Sequence, residues 1–237
     1  MSGGTHERSG PEHRATASPT DATDGTPEDL PVPRGLVALD IVLKTVLLWL
    51  VVRTAIDPSW GNLEGKSPMF RAITYPVLAA LLPAIWVVRS WRGLPERPFP
   101  WLADVLVTAT CFNDFLGNRL DLYDAVTWFD DAVHFLVNAA LAAAVVLLWC
   151  TPATRLRDVL ARAVAVTTSL ALAWEIWEYR AFIDRIGERF SAHADTLGDL
   201  GLGWAGAVVG ALLVVTTWRR QEQLAGLGPA EPEHRAG

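Results

Sequence analysis

Long apolar blocks alternate with short polar connections along most of this chain, near residues 36 to 56, 70 to 90, 100 to 117, 129 to 150, 159 to 182 and 198 to 218. Each block approaches the roughly 20 residues that a helix needs to cross about 30 Å of hydrocarbon. In lipid the backbone must satisfy its own hydrogen bonds, so an isolated apolar block of that length predicts a helix. The pattern predicts an all-α polytopic transmembrane bundle of about six spans over residues 34–220. Residues 1–33 break it, because Gly, Ser, Thr, Pro, Asp and Glu dominate there and cannot offset the entropy of ordering; they read as a disordered tail. Residues 221–237, rich in Gly, Pro, Glu and Ala, read the same way. No apolar run begins before Leu36 and no small-residue cleavage site follows it, so the first block is expected to stay as an anchor rather than be removed as a signal peptide.

The polar residues within the blocks are grouped. Asp130, Asp131, His134 and Asn138 open the fourth block, Glu175 and Glu178 lie toward the end of the fifth, and Asp195 and Asp199 open the sixth. Successive spans reverse direction, which brings the end of the third block and these three segments to one membrane face. The last four helices are therefore expected to form a polar site there, with Asp114, Asn118 and Asn138 as supporting groups. Residues four apart share a helix face, which groups Asp130 with His134 and Asn138, and Asp195 with Asp199. An ionisable side chain at the bilayer centre costs about 2.5–3.5 kcal/mol even on a lenient insertion scale, so several in one place need a use. Along the sixth block Asp199, Gly203, Gly206 and Gly210 share one stripe, and Gly206 to Gly210 is a GxxxG that lets a second helix approach closely.

Composition agrees with a membrane protein. Of the 237 residues, 51% are hydrophobic and 19% charged, against about 25% charged in an ordinary soluble domain. Trp60, Trp91, Trp101, Trp128, Trp149 and Trp218 fall near expected span ends, where an amphipathic indole belongs. The net charge of −6 and the lack of a basic patch with interleaved aromatics exclude a nucleic-acid partner and leave membrane lipid as the expected one. Arginines concentrate in the loops around 89 to 97 and 155 to 162 and after the last span, which predicts both termini on the cytoplasmic side and the polar site on the other. Cys111 and Cys150 sit at different depths, so they are expected as packing residues rather than a disulfide.

The blocks WFDDAVHF at 128–135, WEIWEY at 174–179 and ADTLGDLGLGWAGAVVGAL at 194–212 resemble the signature blocks of the YjdF-like bacterial inner-membrane proteins. That family shows an Asp-x-x-x-His-Phe at the start of one span, a Glu-rich end to the next and an Asp-Thr-x-x-Asp opening a Gly-rich last span. The resemblance covers residues 100 to 215 and implies a multi-pass protein of the bacterial inner membrane without an assigned activity. The VanZ-like membrane proteins are similar in a cruder way, but Asp131 stands where their lysine would be and Glu178 where their glutamine would fall.

Each residue also has a plain structural role. Asp130 and Asp195 fall where helices would begin and suit an N-cap; His134 suits a core histidine bonded to Asp130 one turn away; Trp174 and Trp177 suit packing; and Asp40 with Lys44 suits a pair near the start of the first span. Glu175 is harder to explain so, because a carboxylate at that depth needs a partner, a proton or a metal. One chemistry is a divalent metal centre: Asp130, His134, Glu178 and Asp199 offer the nitrogen and oxygen ligands that zinc or manganese accepts, with Glu175 or Asp195 as general base, for hydrolysis or transfer on a lipid-linked substrate. A second is a proton or cation relay of a small transporter, which the absence of an internal repeat and of acids continuing to the opposite face disfavours. A third is a non-catalytic scaffold.

Overall fold

The structure, a computed structural model, describes residues 32–64, 66–180 and 189–226, with side chains from His193 onward in the last stretch. Residues 1–31 of the expected tail and the residues after 226 lie outside it, as does the loop around Asp184 and Arg185, including Phe182 at the expected end of the fifth span. The described residues are all-helical, without strands. The elements are α1 (Arg34–Ile56), a 3-10 turn (Pro58–Gly61), α2 (Pro68–Trp91), α3 (Trp101–Arg119), the short α4 (Leu122–Ala125), α5 (Phe129–Trp149), α6 (Leu156–Glu178) and α7 (Arg189–Gly226). Five of them, α1, α2, α5, α6 and α7, are long and apolar enough to cross a membrane. The third expected span forms α3, which has 19 residues but carries Asp104, Asp114 and Arg119 and falls outside that group.

Local chemistry explains the boundaries. α2 begins with Pro68 in its first turn, where a missing N–H costs nothing. It ends at Arg92 and Gly93, whose φ of +60° suits glycine; Gly93 N–H donates to Ser90 O at 3.0 Å and Leu94 N–H to Arg89 O at 3.1 Å, a Schellman closure. Pro76 and Pro83 lie inside α2, which membrane helices tolerate when neighbouring segments support the backbone. In the turn after α1, the Ser59 hydroxyl at 2.5 Å holds the Asp57 carboxyl below the usual carboxylate range against the opposing effect of desolvation, and the Trp60 backbone N–H and Arg53 lower it further.

Three apolar clusters hold the bundle together. One joins α1, α2 and α3 through Leu47, Leu50, Val51, Tyr75, Cys111 and Phe115. A second joins α5, α6 and α7 through Ala142, Val146, Val159, Ala163, Ala207 and Ala211. Leu82, Ala103, Val107 and Ala144 tie α2 and α3 to α5. Cys111 and Cys150 are free and buried in different clusters, as expected. Only 22–28% of each candidate span is buried inside the protein, so large apolar side chains such as Leu48, Ile73, Val77, Leu136, Leu172 and Leu213 point outward, as a lipid-facing surface requires.

α7 is the longest element, 38 residues and therefore about 57 Å at 1.5 Å per residue. It begins nine residues before the expected span and runs on through 221–226, which the sequence reading assigns to a tail. Its contact with α5 is backbone to backbone: a Cβ at Gly206 would fall on the Phe135 carbonyl oxygen, and one at Gly210 on the Ala139 carbonyl oxygen. The GxxxG thus meets α5, and both helices start at the same end of the bundle.

Candidate functional site

His134 stands at the second turn of α5 and is 9% exposed. Its Nε2 faces two carboxylates: Asp130 Oδ1, one turn earlier on the same helix, at 3.5 Å, and Asp199 Oδ1 from α7 at 3.8 Å. Its Nδ1 faces Glu175 Oε1 from α6 at 3.8 Å. Three helices thus supply one histidine and three carboxylates to one point at one end of the bundle. Asp130, His134 and Asp199 offer one ligand atom each, all within 4.8 Å of one another, a grouping that suits a metal ion.

The backbone around these groups explains their aim. Asn138, buried one turn below His134, donates through Nδ2 to the His134 carbonyl oxygen at 2.9 Å. Gly203 makes room for it, because a Cβ there would lie 2.8 Å from Asn138 Nδ2. The absent side chain at Gly203 lets α7 bring Asp199, one turn earlier, to the histidine. Asp199 is 4% and Glu175 6% exposed, and Glu175 Oε1 is a buried acceptor without a hydrogen-bond donor. A carboxylate oxygen in that state costs about 1–3 kcal/mol or more unless something else compensates it.

Other expected site residues sit differently. Glu178 is half-buried and its charge bears on Glu175, Asp130, His134 and Asp199, but it is outside the three-residue ligand group. Asp195 is exposed, and it lies within α7 rather than at its start, so the N-cap role does not apply to it. Asp130 likewise lies inside α5, which starts at Phe129 with no side-chain cap. Glu175 lies one turn before Glu178, where α6 passes into a π turn at 179–180; the expected end of the span at 182 lies outside the described residues.

Asp114 and Asn118 belong to a neighbouring network on α2 and α3. Arg71 donates to both oxygens of Asp114, through Nη2 to Oδ1 at 2.9 Å and through Nε to Oδ2, and also to the Lys66 carbonyl; Tyr75 donates to Asp114 at 2.7 Å. Asn118 donates to Asp114 Oδ1 at 3.0 Å and accepts from Lys66 Nζ at 3.1 Å. Trp177 stacks on Phe70 at 4.2 Å with the Arg71 guanidinium over its ring, which realises the packing role expected for it. Tyr123 on α4 lies between the two networks: burial raises its phenol pKa, and the charges of Asp114, Asp130 and Glu178 raise it further, so it stays a protonated donor. Arg71 was missed from sequence, although a lone arginine within an apolar block was the signal. So was Asp104, which is fully buried and bonded to Lys44 toward the opposite end of α3; acids therefore do continue to that end.

Among curated proteins and among solved structures, nothing matches the chain. The family model of a predicted membrane protein, DUF2238, matches residues 36–221, which takes in every site residue above and all but the outermost residues of the first and last helices. The chain is thus a multi-pass membrane protein and belongs to the DUF2238 family.

Proposed function

We propose that Asp130, His134 and Asp199 bind a divalent metal, zinc or manganese, and that the centre activates water for hydrolysis or group transfer on a lipid-linked substrate at the extracytoplasmic membrane face. The observation that carries this reading is a single imidazole Nε2 faced by two carboxylate oxygens from two helices, at 3.5 and 3.8 Å. Metal–ligand bonds of about 2.0–2.2 Å in a tetrahedron separate ligand atoms by about 3.4 Å, so a small contraction around an ion completes the site. Glu175 on Nδ1 then acts as the carboxylate that fixes the ring and its tautomer. Glu178 supplies a further ligand, and Asp195, at the exposed edge, serves as the base for a bound water.

Within DUF2238, the three blocks quoted above support a closer kinship with the YjdF-like proteins. α3 is the sixth span in this reading, its acids shielded by α1, α2 and α5, and both termini face the cytoplasm of a bacterial inner membrane. A proton or cation relay is the second reading, favoured by the buried Asp40 and Asp104 and the half-buried Lys44 that joins them at the opposite end. Metal analysis of the purified protein beside a His134→Ala variant tests the first. Metal in the wild type that is lost in the variant supports the centre; metal in neither overturns it and leaves relay or scaffold.

A further inference from the structure

Lys44 on α1 donates to two carboxylates, Asp40 Oδ1 one turn earlier and Asp104 Oδ2 on α3, each at 2.5 Å. The side chains of Asp104 and Asp40 are 0% and 6% exposed, and that of Lys44 25%. One ammonium and two carboxylates leave the cluster one negative charge in excess inside a membrane helix bundle. Lys44 and Asp40 are the charged groups that bear on Asp104. Around that stretch of α3, Leu82 from α2 and Ala144 from α5 pack on Ala103 and Val107 and bring no charge. Asp40 lies about 9 Å from the start of α1 and Asp104 about 4.5 Å from the start of α3. Both helices begin at the end of the bundle away from His134.

Two oxygens here are left over. Asp104 Oδ1 and Thr108 Oγ1 are fully buried and have no hydrogen-bond partner. They are four residues apart on one face of α3. A buried excess charge and a buried carboxylate oxygen without a donor are each unfavourable, and one proton on Asp104 Oδ1 relieves both.

We propose that Asp40, Lys44 and Asp104 form a binding site for one exchangeable proton, carried on Asp104 Oδ1. The proton comes from bulk water and no other bond changes. It cancels the excess charge and turns Oδ1 from an unpaired charged acceptor into part of a neutral carboxyl group. The exposed part of the Lys44 side chain is the route by which the site exchanges with the membrane surface. This site is separate from the metal centre and does not depend on it.

The test is infrared spectroscopy of the full chain in lipid nanodiscs, reading the carbonyl stretch of protonated carboxyl groups. The wild type should show such a band, sensitive to deuterium. Asp104→Asn should remove it. Asp40→Asn should remove it too, because Lys44 and Asp104 then balance each other, whereas Lys44→Gln should enlarge it, since two acids then share no cation. Glu175→Gln should leave it in place. Retention of the full band in Asp104→Asn or in Asp40→Asn overturns the proposal, because an ordinary ionised cluster contributes nothing there. Should those variants fail to fold, carbodiimide, which adds to protonated carboxyls in apolar surroundings, is used on the wild type. An adduct mapped to Asp104 supports the site, and adducts confined to other carboxyls overturn it.

Discussion

At the scale of residues, the two nitrogens of His134 have different neighbours, and that difference assigns roles. Nε2 looks at Asp130 and Asp199, Nδ1 at Glu175. If Glu175 orients the ring, Glu175→Gln should weaken metal binding about 10–100-fold while the protein stays inserted and monodisperse, as read by competition with a chromophoric chelator. An unchanged affinity would remove Glu175 from that role. His134→Ala should abolish binding outright. The sequence made this group legible because acids and a histidine in apolar blocks stand out against their surroundings. It could not distribute them: that Asp114 belongs to Arg71 rather than to His134 depends on the contact of α2 with α3, which no spacing along one helix encodes.

At the scale of elements, the glycines of α7 fix how it lies on α5. Gly206 and Gly210 each abut a carbonyl oxygen, whereas Gly201 has nothing within 4 Å of a built Cβ. Gly206→Leu should therefore cost at least the 1–3 kcal/mol of an overpacked core, since backbone cannot rotate away as a side chain can. Gly201→Ala should be neutral or slightly stabilising. Thermal unfolding in one detergent, followed by size-exclusion chromatography, checks both; equal stability of the two variants would contradict the close approach. The GxxxG announced a close helix contact in the sequence, but not that α5 would be the partner. The connection after α3 was less legible, because Asp121 turns the chain at a φ of +58° and the short α4 intervenes before α5.

At the scale of the whole molecule, hydropathy alone gives the all-helical, multi-pass arrangement. The polar α3 is the exception, sheltered by neighbours rather than made apolar itself. The loop arginines predict that a reporter active only outside the cytoplasm will be silent when fused after Arg220 and active when inserted near Asn62. The opposite pattern would turn the His134 site toward the cytoplasm and leave its geometry unchanged. The glycine contacts carry one more consequence. Clamped backbone to backbone, α5 and α7 set the spacing of His134 and Asp199: sliding α7 by one helical turn would carry Asp199 about 5.4 Å away. α6 has no glycine at all, and it holds Glu175 against the ring from the third side. α5 and α7 are thus the fixed pair of the site, and α6 is seated on that pair by side-chain packing through Val159 and Ala163.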